Sequence, residues 1–389
     1  MFNIKKLNNI SDVIYEKLPA SRFSVSADIA PEEADAIILR SADCHSLSLE
    51  GDLKCFARAG IGVNNIPIDR CTEKGIVVFN TPGANANAVK ELVLCGLLLG
   101  SRDIVGGIEW TMGLKDNGPE IVGQVEKGKN RFVGPELKGK TIGVIGLGAI
   151  GVLVANMASD LGMKVIGYDP YISIENAWHL SDHVEHALTL DALLDESDYI
   201  TIHVPLMDST RNYLDAQHFE KMKDGVVMLN YSRNGLVNEE AVLNALDSGK
   251  VARYVTDFPD EIILGHKNVI CLPHLGGSTP EAEENCASMA AEEIKYYLEV
   301  GGIINSVNFP VCRIAPTKNV RITLIHKNVP GVIASISSIF SRNHINVEEM
   351  VNKSRGDIAY SVFDINTDLS CELYAELRAL EGMIRVRKI

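Results

Sequence analysis

Three glycines stand at the spacing of a turn that binds phosphate. Gly146, Gly148 and Gly151 follow the apolar run 141–145 in a G-x-G-x-x-G pattern and precede a segment of helical character. In such a turn the first glycine permits the tight bend, the second lets the backbone approach a pyrophosphate, and the third lets helix and strand pack closely. The phosphates would lie at the helix N-terminus, where unpaired N–H groups and the helix dipole favour negative charge. The pattern therefore predicts that this stretch binds a dinucleotide.

An acid at the end of the next strand-like run indicates which dinucleotide. Residues 164–167 form a second apolar run, and Asp169 follows it about 20 residues beyond the glycines. A carboxylate at this place can accept two hydrogen bonds from the adenosine ribose and would repel a 2′-phosphate. We therefore expect NAD rather than NADP, with a solvated acid before Pro170 as the alternative.

Candidate catalytic side chains follow other strand-like runs. Exchange of a hydride with NAD requires an acid–base group at the substrate oxygen and a cation that fixes a carboxylate or polarises a carbonyl. Arg233, directly after the run 226–230, could clamp a carboxylate through two parallel hydrogen bonds. His274 could exchange the alcohol proton, and a nearby carboxylate would orient its ring, with Glu261 as first choice and Asp260 as second. The alternatives are a surface ion pair for the arginine, a core histidine, and solvated loop acids.

The elements that must position these side chains alternate between strand and helix. Beyond residue 140 the apolar strand-like runs are 199–204, 226–230, 253–255 and 269–272. Their alternation with helical segments predicts a doubly wound parallel sheet. Ligands bind at the carboxyl ends of the strands in such sheets, which is where the candidate side chains stand.

Two further units flank this sheet in the sequence. Residues 1–95 show the same alternation without a glycine fingerprint and predict a second α/β unit, and residues 86–110 predict one long helix that bridges two domains. From about Val320 on, the order strand, helix, strand, strand, helix, strand predicts a ferredoxin-like domain.

The composition argues against several classes of protein. A formal net charge of −14 disfavours general binding to nucleic acid or to an anionic membrane, so an anionic substrate would have to be captured by a local group of arginines. The eight cysteines form no C-x-x-C pair and the N-terminus lacks an apolar signal segment, so we expect free thiols in a reducing cytoplasm. His179, His183 and His186 lack the neighbouring acid of a zinc motif, and no metal site is predicted.

With these motifs in view, the chain resembles the D-isomer-specific 2-hydroxyacid dehydrogenases. The resemblance spans nearly the whole chain and is carried by 58–66, 146–151, 230–239, 257–261 and 273–279. It is closest to members that carry a C-terminal ACT regulatory domain and oxidise 3-phosphoglycerate to 3-phosphooxypyruvate at the entry to serine synthesis. It implies an α/β fold: a Rossmann-type NAD domain at 96–277, a flavodoxin-like substrate domain split between 1–95 and 278–310, and a ferredoxin-like ACT domain at 318–389.

The resemblance also implies roles for individual residues. The catalytic roles fall on Arg233, Glu261 and His274. The NAD contacts fall on Gly146, Gly148, Ala149, Ile150, Gly151, Asp169, Val204, Tyr231, Ser232, Arg233, Asp257, His274, Leu275, Gly276 and Gly277. The substrate contacts fall on Arg40, Ser41, Arg58, Gly60 and Asn85. The loop 257–261 is one residue shorter than in many members, which leaves the choice between Glu261 and Asp260 open.

The C-terminal domain resembles ACT domains that sense serine. His326, Asn328 and Asn346 match the types of residue that contact the effector, so L-serine at an interface between two ACT domains is the expected inhibitor. The alternative is a module that only dimerises, in which Asn328 caps a helix begun by Pro330. A homodimer or homotetramer is expected in either case.

Two other functions compete with this interpretation. The first is another D-2-hydroxyacid dehydrogenase, such as a hydroxypyruvate or glyoxylate reductase, which the ACT-like tail and the candidate phosphate contact Arg40 disfavour. The second is an NAD-sensing scaffold that resembles the corepressors of this fold and has no metabolic substrate.

Overall fold

Three sheets carry the strands of the chain, which a computed structural model describes over residues 1–389. The strands are β1 (Phe2–Lys6), β2 (Phe23–Ser26), β3 (Ala36–Leu39), β4 (Cys55–Arg58), β5 (Val77–Phe79), β6 (Thr141–Ile145), β7 (Lys164–Tyr168), β8 (Val184–His186), β9 (Tyr199–Ile202), β10 (Val226–Asn230), β11 (Val251–Thr256), β12 (Val269–Cys271), β13 (Val320–Lys327), β14 (Val347–Arg355), β15 (Ile358–Ile365) and β16 (Met383–Lys388).

Helices connect most of these strands. They are α1 (Ile14–Lys17), α2 (Ile68–Glu73), α3 (Ala86–Ser101), α4 (Ile104–Met112), α5 (Ile121–Gly128), α6 (Ala149–Asp160), α7 (Ile174–His179), α8 (Leu190–Glu196), α9 (Ala216–Lys221), α10 (Glu239–Asp247), α11 (Pro280–Val300), α12 (Val332–Arg342) and α13 (Cys371–Arg378). None of the helices is long and apolar enough to cross a membrane.

The chain divides into two units. The first unit contains residues 1–84 and 283–389, and the second contains residues 85–282. The C-terminal sheet therefore belongs to the same unit as the N-terminal sheet.

The second unit is built on a seven-stranded parallel sheet. Its strand order is β12-β11-β10-β9-β6-β7-β8, and every neighbouring pair is parallel. Strands such as β9 and β10 are buried at every residue, as expected of a sheet that helices cover on both faces. The order reverses between β6 and β9, so the carboxyl ends of these two strands form the switch point where ligands bind. The doubly wound fold predicted from the sequence is confirmed.

The prediction of one long helix over residues 86–110 is wrong. Helix α3 ends at Ser101, the next residue, Arg102, is extended, and α4 begins at Ile104. The carboxylate of Asp103 accepts a hydrogen bond from the Gly106 N–H at 3.3 Å. Because this side chain caps the start of a new helix, the apolar periodicity that continues through the segment does not produce a single helix.

The N-terminal sheet of the first unit is parallel throughout, with the order β2-β1-β3-β4-β5. This is the order of flavodoxin-like folds. Helix α11 lays Ala287, Ala291 and Ile294 against it, in the same apolar core as Ile38 and Ala57. Because β3 and β4 are parallel, the loops that follow them leave the sheet at the same edge. These two loops hold the candidate substrate residues.

The C-terminal sheet is antiparallel, with the order β14-β15-β13-β16, and the predicted ferredoxin-like pattern is confirmed. Helices α12 and α13 cover one of its faces. The other face contributes Ile325, Tyr360 and Val362 to the core around α11, and the Tyr360 hydroxyl donates to the Gly301 carbonyl at 2.6 Å. Helix α12 begins at Val332 after a left-handed Gly331, so Asn328 does not cap it and that part of the alternative is wrong.

An ion pair between the two central strands of this sheet, β13 and β15, joins three segments of the first unit. Arg321 and Asp364 are both buried, and the guanidinium donates to the two carboxylate oxygens at 2.6 and 2.7 Å. A third nitrogen of Arg321 donates to the carbonyl groups of Val300 and Ala315. Because every charged atom of the pair has a partner, the cost of its burial is offset.

A buried acid on α11 is a point at which stability depends on pH. Glu293 is 1% exposed, one of its oxygens accepts from the Asn305 amide at 2.8 Å, and the other is buried without a partner. Burial raises the pKa of Glu293 to about 8, from an ordinary value of 4.5. The folded state therefore binds more protons than the unfolded state between these values, and stability falls as the pH rises through this range.

We expect Glu293→Gln to remove that dependence. Glutamine keeps the acceptor for Asn305 and carries no charge, so above pH 8 the variant should gain on the order of 2 kcal/mol relative to the native chain. Urea unfolding between pH 5 and 9 measures the difference. Glu284→Gln, an exposed position on the same helix, is the control, and native and Glu293→Gln curves that stay parallel across the range would contradict the assignment.

Candidate active site

The glycine turn lies at the switch point of the second unit. Gly146 has a φ of +89°, and a Cβ on it would lie 2.9 Å from the backbone of His203, which follows β9. A Cβ on Gly151 would lie 1.9 Å from the carbonyl oxygen of Gly146. These two positions therefore require glycine, the first for the turn and the second for the contact between helix and turn.

The start of α6 offers free hydrogen-bond donors beside open space. Gly148 precedes the helix without a side-chain cap, and a Cβ on it would meet nothing within 4 Å. The first N–H groups of the helix, which include those of Ala149, Ile150 and Gly151, have no partner one turn earlier. The predicted pyrophosphate site therefore has both the donors and the room that an anion requires.

Asp169 binds to the turn itself. One carboxylate oxygen accepts from the Leu147 N–H at 2.8 Å and the other from the Tyr171 N–H at 2.8 Å. The acid thus fixes the glycine turn, in addition to its predicted role at the ribose. Each oxygen keeps a second lone pair that can accept a further hydrogen bond.

The loop after β10 is tied to the loop after β9. The Ser232 hydroxyl donates to the Val204 carbonyl at 2.8 Å, and the Asn230 amide donates to the Arg233 carbonyl at 2.9 Å. Tyr231 is 4% exposed, and its hydroxyl is buried without a partner. These contacts bring the predicted residues of two loops to the same edge of the sheet.

Asp257 connects the two main catalytic candidates. The backbone N–H of His274 donates to the Asp257 carbonyl at 3.0 Å, and one carboxylate oxygen of Asp257 accepts from the Gly276 N–H at 2.9 Å. Burial raises the pKa of Asp257, and the positive charges of His274 and Arg233 oppose that rise. The carboxylate therefore lies within electrostatic range of both side chains, which the structure brings to one edge of the sheet.

The imidazole of His274 is accessible to a ligand. The residue is exposed, and its φ of +45° is unusual for a residue other than glycine. The backbone N–H of His274 donates to the carbonyl groups of Asp257 and Leu272. The imidazole ring lies 4.8 Å from the ring of Phe258. Leu275 and Gly277 follow in the same loop, so the backbone holds the ring at the carboxyl edge.

The two acids of the loop after β11 have different surroundings. Glu261 is exposed and its carboxylate has no hydrogen bond. Asp260 accepts from the N–H groups of Ile262 and Ile263. Burial, with a hydrogen bond and the charge of Asp260, raises the pKa of Glu239 to about 7. The sequence did not identify Glu239 as a partner of Asp260. The signal that could have found it is its place at the start of α10, directly after the loop of β10.

Buried atoms without partners mark where a cofactor would bind. They include Oδ1 of Asp257, Oδ1 of Asn85 and Nδ1 of His203. Burial lowers the pKa of His203 to about 3, so this imidazole is neutral. Buried polar groups are rarely left unpaired, and these atoms lie in the unit that carries the glycine turn. Together with the free N–H groups at the start of α6, these unpaired atoms fit a dinucleotide.

The remaining candidate substrate residues belong to the first unit. Arg40 follows β3 and pairs with Glu283 at 2.6 Å, and the Ser41 N–H donates to Asn8. Arg58 ends β4, its Nε donates to the Arg40 carbonyl at 3.0 Å, and a Cβ on Gly60 would lie 2.6 Å from its guanidinium. These residues form one group at the carboxyl edge of the N-terminal sheet.

The candidate effector residues differ in how accessible they are. His326 is 2% exposed, and its two ring nitrogens bond to the Lys327 carbonyl and the Ser361 hydroxyl. Asn328 and Asn346 are exposed. Only the two asparagines therefore present side chains to a ligand.

Two family models and several known proteins match this chain. Residues 112–276 match the D-isomer specific 2-hydroxyacid dehydrogenase NAD binding domain, and residues 322–385 match the AHAS small subunit-like ACT domain. D-3-phosphoglycerate dehydrogenase 1 of Saccharomyces cerevisiae is 32% identical over 86% of this chain and 74% of its own length. Hydroxypyruvate reductase of Thermotoga maritima is 39% identical over 67% of this chain and 84% of its own.

The chain is also similar to a solved structure. The NAD+-bound 3-phosphoglycerate dehydrogenase of Entamoeba histolytica has a TM-score of 0.58 and 26% identity, covering 79% of this chain and 98% of that one. The chain spans about half the length of several other curated relatives that it matches.

Substitution of two of the glycines should separate folding from cofactor binding. Gly151→Ala should lower the unfolding temperature, because its Cβ collides with the Gly146 carbonyl. Gly148→Ala should leave that temperature unchanged and weaken NADH binding about tenfold, or about 1.4 kcal/mol, because the methyl group occupies the space that a pyrophosphate needs. Thermal melts and NADH fluorescence titration measure both effects. Native NADH affinity in Gly148→Ala would refute this location for the pyrophosphate.

Proposed function

The chain belongs to the D-isomer specific 2-hydroxyacid dehydrogenases, and we propose that it oxidises 3-phospho-D-glycerate to 3-phosphooxypyruvate with NAD, the first step of L-serine biosynthesis. The observation that carries this proposal is the arrangement of Arg233, the buried Asp257 and the exposed His274 at the same sheet edge as the glycine turn. The ACT domain favours a regulated biosynthetic enzyme over other members of the family.

The roles of His274, Arg233 and Glu261 follow from their chemistry. His274 accepts the hydroxyl proton as the alcohol becomes a ketone, and Arg233 fixes the substrate carboxylate through parallel hydrogen bonds. The glycine turn and Asp169 would hold NAD, which would accept the hydride that leaves the same carbon. Glu261 stabilises the protonated imidazole; Asp260 is the weaker candidate, because the backbone N–H groups of the loop engage it.

The substrate-binding roles stay with the group in the first unit and with Asn85, which belongs to the second unit. We assign the phosphate to Arg40 and Ser41, and the remaining substrate contacts to Arg58, Gly60 and Asn85. A guanidinium can exchange a carboxylate partner for a phosphate, because both accept parallel hydrogen bonds. Glu283 would then be released from Arg40 when the substrate binds.

A second candidate is reduction of hydroxypyruvate or glyoxylate. The pairing of Arg40 with Glu283 favours it, because a substrate without phosphate needs no cation at that place. The relative from Thermotoga maritima is named for the former activity. The two candidates share the chemistry at His274 and differ in the contacts to the far end of the substrate.

We also propose that the chain forms a homodimer or homotetramer. The segment with α4 and α5 has no buried residue within either helix, and it exposes Ile108, Met112 and Val122 by 56, 73 and 74%. Exposed apolar side chains gathered in one segment are typical of an interface between subunits. A cytoplasmic location is proposed because all eight cysteines are free thiols.

His274→Ala should lower turnover by about 10²–10⁴ while NADH still binds. His274→Asn tests the same loss without strain, since asparagine tolerates a positive φ. The assay follows NADH oxidation with 3-phosphooxypyruvate, hydroxypyruvate and glyoxylate side by side, with His266→Ala as the control. Near-native turnover in both His274 variants contradicts the mechanism. Preference for hydroxypyruvate selects the second candidate, and no turnover with any substrate favours a corepressor-like scaffold.

We also propose that L-serine inhibits the enzyme by binding to its C-terminal domain. Serine would contact the exposed Asn328 and Asn346, while His326 supports the turn through its two hydrogen bonds. Millimolar L-serine should lower the rate of the native enzyme and have little effect on Asn346→Ala, whereas D-serine should not inhibit. Rates that stay constant across the titration would leave the ACT domain with a structural role only.

A further inference from the structure

A cavity of about 440 Å³ opens at the amino edge of the sheet in the second unit. Its lining includes Lys140 before β6, Lys223 before β10 and Arg253 on β11. The glycine turn and His274 lie at the carboxyl edge of the same sheet, so this cavity is separate from the candidate active site. Its volume falls within the range of about 300–1,000 Å³ that is typical of sites for small molecules.

The cations of the cavity are not equally satisfied. Lys223 pairs with Asp198 at 3.1 Å, and the other oxygen of Asp198 accepts from the Thr141 N–H. Arg253 makes only long contacts, 3.4 Å to the Leu99 carbonyl and 3.5 Å to Asp103. Lys140 is half-buried, and its charge contributes to lowering the pKa of Asp198, but its ammonium group makes no hydrogen bond. Two of the three cations therefore retain donors that a ligand could use.

The acids at the cavity are already engaged. Asp198 bonds to Lys223, and Asp224 pairs with Lys250 at 3.0 Å. The lining itself holds three cations and two carboxylates; with the pairing partners Lys250 and Asp103 included, four cations stand beside three carboxylates, in a chain whose net charge is −14. A positive excess that persists against this overall field indicates a site for a negative ligand.

The rest of the lining limits the ligand to a small, compact one. Ser101 at the end of α3 and Tyr199 at the start of β9 are bonded to each other at 2.9 Å, so they form a closed polar wall. Val133, Pro135 and Val227 add apolar surface. The ammonium of Lys140 and the fork of Arg253 suit a phosphate group, which accepts from several donors at once.

We propose that this cavity binds a small phosphate-bearing anion through Lys140, Arg253 and Lys223. The inference does not depend on the proposed dehydrogenase activity, because it rests on residues at the opposite edge of the sheet from the catalytic candidates. A dicarboxylate of similar size offers the same charge with a different shape, and the experiment distinguishes the two.

Acetylation footprinting of the full chain tests the site directly. Inorganic phosphate near ten times its dissociation constant should slow acetylation of Lys140 about tenfold, because the free fraction falls to about a tenth. Lys164, exposed at the start of the adjacent β7, should react at an unchanged rate at constant ionic strength. Succinate serves as the dicarboxylate arm, and equal protection by succinate would overturn the assignment to phosphate.

Variants supply the second readout. Arg253→Gln should abolish the protection of Lys140, and Lys164→Gln should leave it intact, with circular-dichroism melts showing that both variants fold. Slowing of Lys140 and Lys164 by the same factor would show a diffuse ion atmosphere and overturn the proposal. Undiminished protection of Lys140 in Arg253→Gln would do so as well.

Discussion

The contact between Gly151 and the carbonyl of Gly146 fixes the geometry on which the rest of the second unit depends. It brings α6 against the end of β6, so that the first N–H groups of the helix open at the switch point of the sheet. The carboxylate of Asp169 holds the turn from the next strand, through Leu147. Because these two contacts set the position of the helix N-terminus, they also define where the predicted pyrophosphate would lie relative to the loops after β9, β10 and β11.

The sequence predicted this part of the molecule because its signals are local. A glycine pattern, the apolar runs around it and a strand-end acid all lie within about 30 residues, which is the length of one βαβ unit. The βαββαβ order of the C-terminal domain was predictable for the same reason. The prediction that Arg233 and His274 lie at one edge was possible because parallel strands bring their carboxyl ends together, whatever the lengths of the connections between them.

The contacts that the sequence did not predict depend on side chains far apart in the chain or on competition within a turn. Asp103 ends a helical pattern by capping a new helix, and no apolar periodicity reveals that choice. The approach of Asp260 to Glu239, and of Arg40 to Glu283, joins residues whose proximity only the folded chain creates. His326 matched an effector-binding type of residue, yet both of its ring nitrogens serve the fold.

The C-terminal sheet shares its core with the unit that carries it. Arg387 on β16 is 7% exposed and lies 4.3 Å from the ring of Tyr297 on α11, and the Tyr360 hydroxyl reaches the Gly301 carbonyl. A homologous domain transplanted into this position would have to match an aromatic ring and a carbonyl that belong to its host. The ACT domain of this chain therefore cannot be exchanged freely for a homologous one. A substitution on its buried face should require a matching substitution along α11.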